Sequence, residues 1–330
     1  MPISFKEDHI SQIPALLMLE KLGYTYLTPD EALALRGGNL ANVLLEPVLR
    51  KQLAAINVVQ VSSVRTTVFS EQNITAGIDA LRNIPMDEGF MEASQTVYDL
   101  LTSGKTLEQI VDGDRKSFVM QYIDWKNPRN NVFHVTEEFA VSRTGMTETY
   151  RPDIVLFVNG IPLCVIECKR PDVKDSIEQA ISQHLRNQKA DGIRSLYLYS
   201  PLLLAIHRQE GSYATTATPE KFWARWREQF TNREEEVRYR QELERVVNEP
   251  LLDDKLFGER FGYVRRNFEE LYRQPVIPSV QDEYLYNLCR PERLLQLMYG
   301  FTLYDDGIKK VARYQQYFAV RQTMQRIRHI

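Results

Sequence analysis

The sequence predicts an α/β fold, in which a mixed central sheet is flanked by helices and followed by a mainly helical region. Strand-like and helix-like segments alternate through the first 215 of the 330 residues. An almost wholly apolar hairpin at residues 152–169 directly precedes an amphipathic helix. Residues 218–247 are charged and at helical spacing, and the remainder of the chain is also expected to be helical.

Apolar periodicity and flanking residues predict the elements in order. Helices are predicted at residues 9–22, 41–55, 72–82, 90–102 and 174–188. Strands are predicted at residues 118–123, 131–141, 195–200 and 202–208. Pro47 is expected to kink or bound the second helix, because proline cannot donate a helical hydrogen bond. Gly104 is expected to end the fourth helix.

Residues 218–247 change character, because they are highly charged and carry Phe222, Trp226 and Phe230 four residues apart. We interpret these aromatic residues as a packing stripe on a helix, rather than as a surface on which bases stack. The remainder is expected to be helical, with loops at 275–278 and 305–307. Three units are therefore predicted, which are a core at 1–215, a charged helical linker at 216–260 and a helical segment at 261–330.

The central hairpin carries two carboxylates and a lysine, which are Asp153, Glu167 and Lys169, among Val, Ile, Leu and Phe. Burying a charge costs several kcal/mol unless the charge is paired or binds a metal. Glu167 and Lys169 are two residues apart, so they project from the same face of a strand. The alternative is an edge hairpin with one solvated face, on which these residues are surface charges.

This set of side chains suits a magnesium-dependent phosphodiesterase. Asp153 and Glu167 can supply two carboxylates to Mg²⁺, which prefers oxygen ligands, and leave positions for water and a phosphate oxygen. The ion would lower the pKa of a bound water and stabilise charge on phosphorus. Lys169 could act as a base or could only position the water, and the sequence leaves both roles open.

The turn of the hairpin imposes a geometric condition on this site. Asn159-Gly160 is a strong signal for a two-residue turn, which would pair Val158 with Ile161. Uninterrupted pairing from that turn puts Asp153 and Glu167 on opposite faces. Shared metal binding therefore predicts a three-residue loop, or a bulge, between the two acids.

Pro152-Asp153 with Glu167-Cys168-Lys169 resembles the PD-(D/E)xK nuclease motif of the restriction (R) subunit of type I restriction enzymes. The resemblance covers most of the chain and is strongest at 145–190 and 288–327. It implies a restriction-endonuclease-like core that hydrolyses double-stranded DNA with Mg²⁺. By this resemblance Asp153, Glu167 and Lys169 are catalytic, and the two acids bind the metal.

The family follows the motif with a helix that carries Gln-x-x-x-Tyr. Gln183 matches the glutamine and is implied to be catalytic, whereas Asn187 replaces the tyrosine. Family members often carry Glu in the first helix, and Gln12 stands there in this chain. Gln315 and Gln316 resemble the glutamine that contacts adenine upstream of the first phosphate loop of related motors.

The sequence has no phosphate loop of the form G-x-x-x-x-G-K-[ST]. Gly104-Lys105-Thr106 matches only the tail of that pattern, after a helical segment. We therefore expect a nuclease part joined to the beginning of a motor, interrupted at His329-Ile330, and ATP binding only in the full-length enzyme. The resemblance implies that the full enzyme translocates DNA with modification and specificity subunits. The alternatives are a stand-alone repair or mobile-element nuclease and a catalytically silent scaffold that docks partner subunits.

The composition argues against several other classes of protein. No apolar run approaches the roughly 18 residues of a membrane helix, so no membrane partner is expected. Three cysteines argue against a disulfide framework, and Lys6, Glu7 and Asp8 do not suit a signal peptide, so a cytoplasmic location is predicted. A net charge of −3 is unlike that of a DNA-coating protein, although residues 309–330 are basic and contain no acid. That segment is either a local basic patch or a solvated helix face.

Overall fold

The computed structural model describes residues 11–62, 65–250 and 255–328. It confirms the α/β architecture with a mixed central sheet flanked by helices. The helices are α1 (Ile13–Lys21), α2 (Pro29–Ala34), α3 (Glu46–Ile56), α4 (Glu71–Arg82), α5 (Phe90–Ser103), α6 (Ser176–Asn187), α7 (Arg194–Tyr199), α8 (Arg233–Val247), α9 (Arg265–Leu271), α10 (Val280–Cys289), α11 (Pro291–Gly300) and α12 (Tyr314–Arg328). The strands are β1 (Thr25–Tyr26), β2 (Val58–Ser62), β3 (Arg65–Val68), β4 (Lys105–Val111), β5 (Asp114–Met120), β6 (Phe133–Glu137), β7 (Val141–Ser142), β8 (Thr149–Tyr150), β9 (Ile154–Val158), β10 (Ile161–Cys168), β11 (Leu202–His207), β12 (Glu210–Ala214), β13 (Thr302–Asp305) and β14 (Ile308–Val311).

The central sheet has six strands in the order β1, β6, β9, β10, β11, β12. The predicted hairpin, β9–β10, lies at the centre of this sheet and is buried on both faces, which explains its continuous apolar sequence. The alternative of an edge hairpin is therefore wrong. Strands β10 and β11 are parallel, so the chain must cross over between them, and the crossover contains α6 and α7.

Most of the predicted helices are confirmed, and their ends follow local chemistry. Pro47 lies in the first turn of α3 and so marks its beginning. Gly104 ends α5 with φ of +78° and donates its N–H to the carbonyl of Leu100. The first two residues of the predicted helix 9–22 lie outside the described residues, as do His329 and Ile330.

The predicted strand at 195–200 is wrong, because this segment forms helix α7. Its apolar residues are buried between α5 and β10. A short run that is apolar on every side suits either a buried strand or a buried helical turn, so periodicity does not separate the two. The predicted strand at 118–123 is the second strand of a hairpin, β4–β5, whose first strand was not predicted.

The helix predicted across residues 218–247 is present only from Arg233, after Asn232 caps it by accepting from the N–H of Glu235. Before that point, Ala224 exchanges two backbone hydrogen bonds with Tyr213 of β12 and so extends the sheet edge. The predicted aromatic stripe is therefore wrong: Trp226 is buried, whereas Phe222 is half exposed. Contacts with the edge strand override the helical spacing here.

The main cluster of buried apolar side chains runs from α1 through the sheet to α12. Helix α10 packs on α1 and on the strands β11 and β12, so it covers part of the same core. Strand β12 ends at Ala214, next to the predicted boundary at residue 215. The division into units at 1–215, 216–260 and 261–330 stays a prediction.

Candidate active site

The predicted turn is present at the tip of the central hairpin. Asn159 and Gly160 have φ of +53° and +84°, and Val158 pairs with Ile161. Positive φ at both central residues is the signature of the two-residue turn that suits twisted strands. With that turn alone, the two acids would lie on opposite faces of the sheet.

A β-bulge in β10 corrects the register. Pairing slips between Pro162 and Cys164, so that Leu163 is an extra residue on its strand. Beyond the bulge, Ile166 pairs with Ile154, and Asp153 and Glu167 are the next residues along. The bulge predicted from shared metal binding is therefore confirmed, and the two carboxylates face each other.

Asp153 and Lys169 meet at the carboxyl end of β10. The Asp153 Oδ2 atom accepts a hydrogen bond of 2.7 Å from the backbone N–H of Cys168. The Lys169 Nζ atom lies 3.4 Å from the same oxygen and donates to the carbonyl of Cys168 at 2.9 Å. The amine and the carboxylate are both partly exposed, so this end of the strand is open to a ligand.

Glu167 is fully buried beside this pair. Its Oε2 atom accepts a hydrogen bond from Gln183 Nε2. Its Oε1 atom is also buried, yet it has no hydrogen-bond partner in the described part of the chain. Burial raises the pKa of the Glu167 carboxyl well above its usual range, and the Asp153 charge raises it further. A buried acceptor without a donor is costly, and a bound cation would satisfy it.

Helix α6 positions Gln183 by packing on β10 and β11. His184 is fully buried on this helix, with Nε2 2.9 Å from the carbonyl oxygen of Leu204 and Nδ1 3.0 Å from the hydroxyl of Tyr197. Because a carbonyl can only accept, Nε2 is the protonated nitrogen and Tyr197 donates to Nδ1. Burial lowers the pKa of His184 to about 3, so the ring is neutral.

Asn187 is buried four residues after Gln183. Its amide nitrogen lies 3.4 Å from the hydroxyl of Tyr197 on the next helix. Asn187 stands at the position where the family pattern has tyrosine, so here the asparagine contacts a tyrosine from another helix. The sequence did not single out Tyr197, because its segment was predicted as a strand.

Gln12, at the beginning of α1, supports the backbone of the site. Its Nε2 donates to the carbonyl of Asp153 at 3.1 Å. This contact fixes the backbone at Asp153. Because Gln12 carries an amide, it does not add a carboxylate to the metal ligands. Gln12 is buried, so its contact joins the first helix to the central hairpin.

The set of donors fits a magnesium ion. Asp153 and Glu167 offer two facing carboxylates, one of them with an oxygen that lacks a partner. No group of three or more His, Cys, Asp or Glu side chains that could hold a metal is found among the described residues. Mg²⁺ commonly binds through one or two carboxylates and keeps several waters or substrate phosphates, so two acids suffice.

Gln315 and Gln316 lie on the first turn of α12 and are both exposed. The Gln316 Oε1 atom accepts from the backbone N–H of Arg313 at 2.8 Å, which caps the helix. The adenine contact inferred for one of these residues stays a prediction.

Comparison with known proteins gives this arrangement a family. The model of the family described as type I restriction enzyme R protein N terminus matches residues 4–222. The chain belongs to this family. The matched residues include the whole six-stranded sheet and helix α6. They therefore include the acid pair, Lys169 and Gln183.

Relatives of the chain carry names from the same family. It is 24% identical over 329 residues to the putative type I restriction enzyme MjaIXP endonuclease subunit of Methanocaldococcus jannaschii, covering 97% of this chain and 28% of that protein. It is 26% identical over 334 residues to the type I restriction enzyme HindI endonuclease subunit of Haemophilus influenzae, covering 96% of this chain and 26% of the relative. The chain thus spans about a quarter of the length of these relatives. No helix in the described ranges is long and apolar enough to cross a membrane.

Proposed function

We propose that the chain is the nuclease part of a type I restriction subunit and that it hydrolyses double-stranded DNA at the Asp153–Glu167 pair with Mg²⁺. The observation that carries the proposal is the buried Glu167 carboxylate, which faces Asp153 and has one oxygen without a hydrogen-bond partner in the described residues. The names of the relatives support the restriction role. A catalytically silent scaffold would have no use for a buried, unsatisfied carboxylate.

Asp153 and Glu167 would hold the ion, which when bound supplies an activated water and neutralises charge on the phosphate. The other side chains of the site would orient the ligands and offset the negative charge of the phosphate. Gln183 holds one oxygen of Glu167, and the other oxygen would be available to bind the ion. Lys169, whose amine lies 3.4 Å from Asp153, would offset negative charge on the scissile phosphate or orient the attacking water.

In the full enzyme, we propose that cleavage is coupled to ATP-driven translocation of DNA. Modification and specificity subunits would then be the protein partners, and Gln315 or Gln316 would contact the adenine of ATP. The whole enzyme would be a type I site-specific deoxyribonuclease. A cytoplasmic location stays a prediction.

The test replaces each acid by its amide, as Asp153→Asn and Glu167→Gln, in the full-length subunit assembled with its partner subunits. Cleavage of plasmid DNA with Mg²⁺ and ATP should fall at least about 100-fold for each variant, because one metal ligand is lost. Glu178→Gln, at an exposed position on α6, is the matched control and should cleave normally. Cleavage by Asp153→Asn at the wild-type rate would show that the site is wrong.

A further inference from the structure

Helix α6 presents an arginine beside the acid pair. Arg186 follows Gln183 by three residues, so the two side chains lie on the same side of the helix. The Arg186 guanidinium lies over the ring of Tyr150, 4.4 Å from its centroid. Its Nε and Nη2 atoms donate to Asn187 Oδ1 at 3.3 and 3.1 Å. Two neutral groups therefore hold the guanidinium in one orientation.

The charge of Arg186 is not neutralised by these contacts. Within the described ranges, no carboxylate forms an ion pair with it, and the residue is exposed. Arg143, whose guanidinium also contacts this ring, provides a contrast. It lies 4.7 Å from the centroid of the Tyr150 ring but forms an ion pair of 2.6 Å with Asp191.

The contacts of Arg186 place it beside the acid pair. Gln183, three residues earlier on the same side of α6, donates to the Glu167 carboxylate. Tyr150, whose ring lies under the Arg186 guanidinium, precedes Asp153 by only three residues. Arg186 therefore lies on the side from which α6 approaches the two acids.

We propose that Arg186 contacts a phosphate of the DNA strand bound at the Asp153–Glu167 site, and that Tyr150 and Asn187 hold it there. The inference rests on the proposed nuclease function. An arginine fork suits a phosphate because its donors are planar and fixed, and Nη1 remains to make the contact. Asn187 stands where the family pattern has tyrosine, so in this chain its amide oxygen is what anchors the arginine.

The first test measures DNA binding without cleavage. The 330-residue chain carrying Asp153→Asn is titrated with a short DNA duplex at several salt concentrations. Arg186→Gln should weaken binding and reduce the slope of log K against log salt by about one, because one phosphate contact is lost. Arg186→Lys should keep the slope. Arg194→Gln is the matched control. Arg194 stacks on the ring of Phe90, as Arg186 does on Tyr150, and it donates to the backbone carbonyl of Gln188.

The second test measures cleavage by the assembled enzyme. Arg186→Gln should slow cleavage by about 10-fold to 100-fold, in the range of one lost stabilising donor, with Arg186→Lys intermediate. Tyr150→Leu removes the ring face under the guanidinium and should slow cleavage without changing the salt slope. Arg194→Gln is again the control and should cleave normally. Thermal unfolding of each variant verifies that the fold is intact.

The outcomes separate this inference from the proposed function. An unchanged salt slope with Arg186→Gln overturns the phosphate contact, even if cleavage falls, because Arg186 would then act only through Glu167. Absence of duplex binding by the chain at low salt overturns it as well. Normal cleavage by Asp153→Asn would instead overturn the nuclease site, and the binding test would still report on Arg186.

Discussion

Glu167 shows at the scale of a single residue how the site differs from ordinary core. It lies on a strand whose other residues are apolar or thiol-bearing, and it is as buried as they are. One of its oxygens is held by Gln183, and the other has no partner in the described residues. Ionisable groups that are buried without a full set of hydrogen-bond partners weaken the fold and are typical of functional sites.

This cost predicts that Glu167→Gln stabilises the protein in the absence of metal. The amide removes the free-energy cost of burying a carboxyl group whose pKa burial raises well above its usual range. The free energy of unfolding in urea should rise by about 1–2 kcal/mol. Added Mg²⁺ should raise the unfolding midpoint of the wild type but not that of Glu167→Gln, because only the wild type keeps both ligands.

The exposed change Glu178→Gln is again the control and should shift stability by less than about 0.5 kcal/mol. A clear loss of stability in Glu167→Gln would mean that the buried carboxylate is satisfied by contacts other than those described. An equal Mg²⁺ shift in both proteins would place the ion elsewhere.

At the scale of elements, the hairpin β9–β10 was the most predictable part of the chain. The positive φ of Asn159 and Gly160 suits these two residue types, so the local sequence predicts the turn. The bulge at Leu163 has no local signal, and it was predicted only because the two acids must share a face. The need for both acids to bind one metal thus predicts a strand register that the apolar periodicity does not specify.

The elements predicted wrongly have a common cause, which is contact with distant residues. Helix α7 is buried between α5 and β10, where an apolar run suits a strand equally well, so periodicity does not reveal Tyr197 as the partner of His184. Ala224 pairs with β12 and does not continue the charged helix. Arg186 was also missed, because its contact with Tyr150 joins residues that sequence spacing does not relate.

The turn provides a prediction at this scale. Gly160 approaches the beginning of α3 so closely that an added Cβ would lie 2.6 Å from the carbonyl oxygen of Leu45 and 3.1 Å from the nitrogen of Leu49. Gly160→Ala should therefore lower the free energy of unfolding by about 3 kcal/mol or more, combining backbone strain with displacement of α3. Chemical denaturation measures the change.

Gly113, at the tip of the β4–β5 hairpin, is the matched control. Its φ of +88° is similar, but an added Cβ would meet nothing within 4 Å. Gly113→Ala should cost only about 1 kcal/mol, from the backbone conformation alone. Equal losses at the two glycines would show that the approach of α3 to the turn contributes nothing.

At the scale of the whole molecule, distant parts of the chain are joined by buried contacts. The hairpin β13–β14 docks on α5, where Lys309 is buried and donates to Ser94 Oγ at 3.1 Å. Ser94 Oγ also lies 2.9 Å from the hydroxyl of Tyr304, and the Lys309 amine lies 5.5 Å from the centroid of the Tyr304 ring. The described residues show no carboxylate paired with this amine, so its charge is buried among neutral groups.

The buried amine should make the stability of the whole chain depend on pH. Burial lowers the pKa of Lys309 from 10.5 to about 7. Between these values the unfolded chain binds a proton that the folded chain has lost, so this lysine destabilises the fold most below pH 7 and least above pH 10.5. In urea denaturation, Lys309→Met should therefore be more stable than the wild type by a few kcal/mol at pH 6, with a difference that shrinks by pH 10. Lys310→Met, at the exposed neighbouring position, should show no such trend. A difference for Lys309→Met that is constant with pH would mean that the amine keeps its proton in the folded chain.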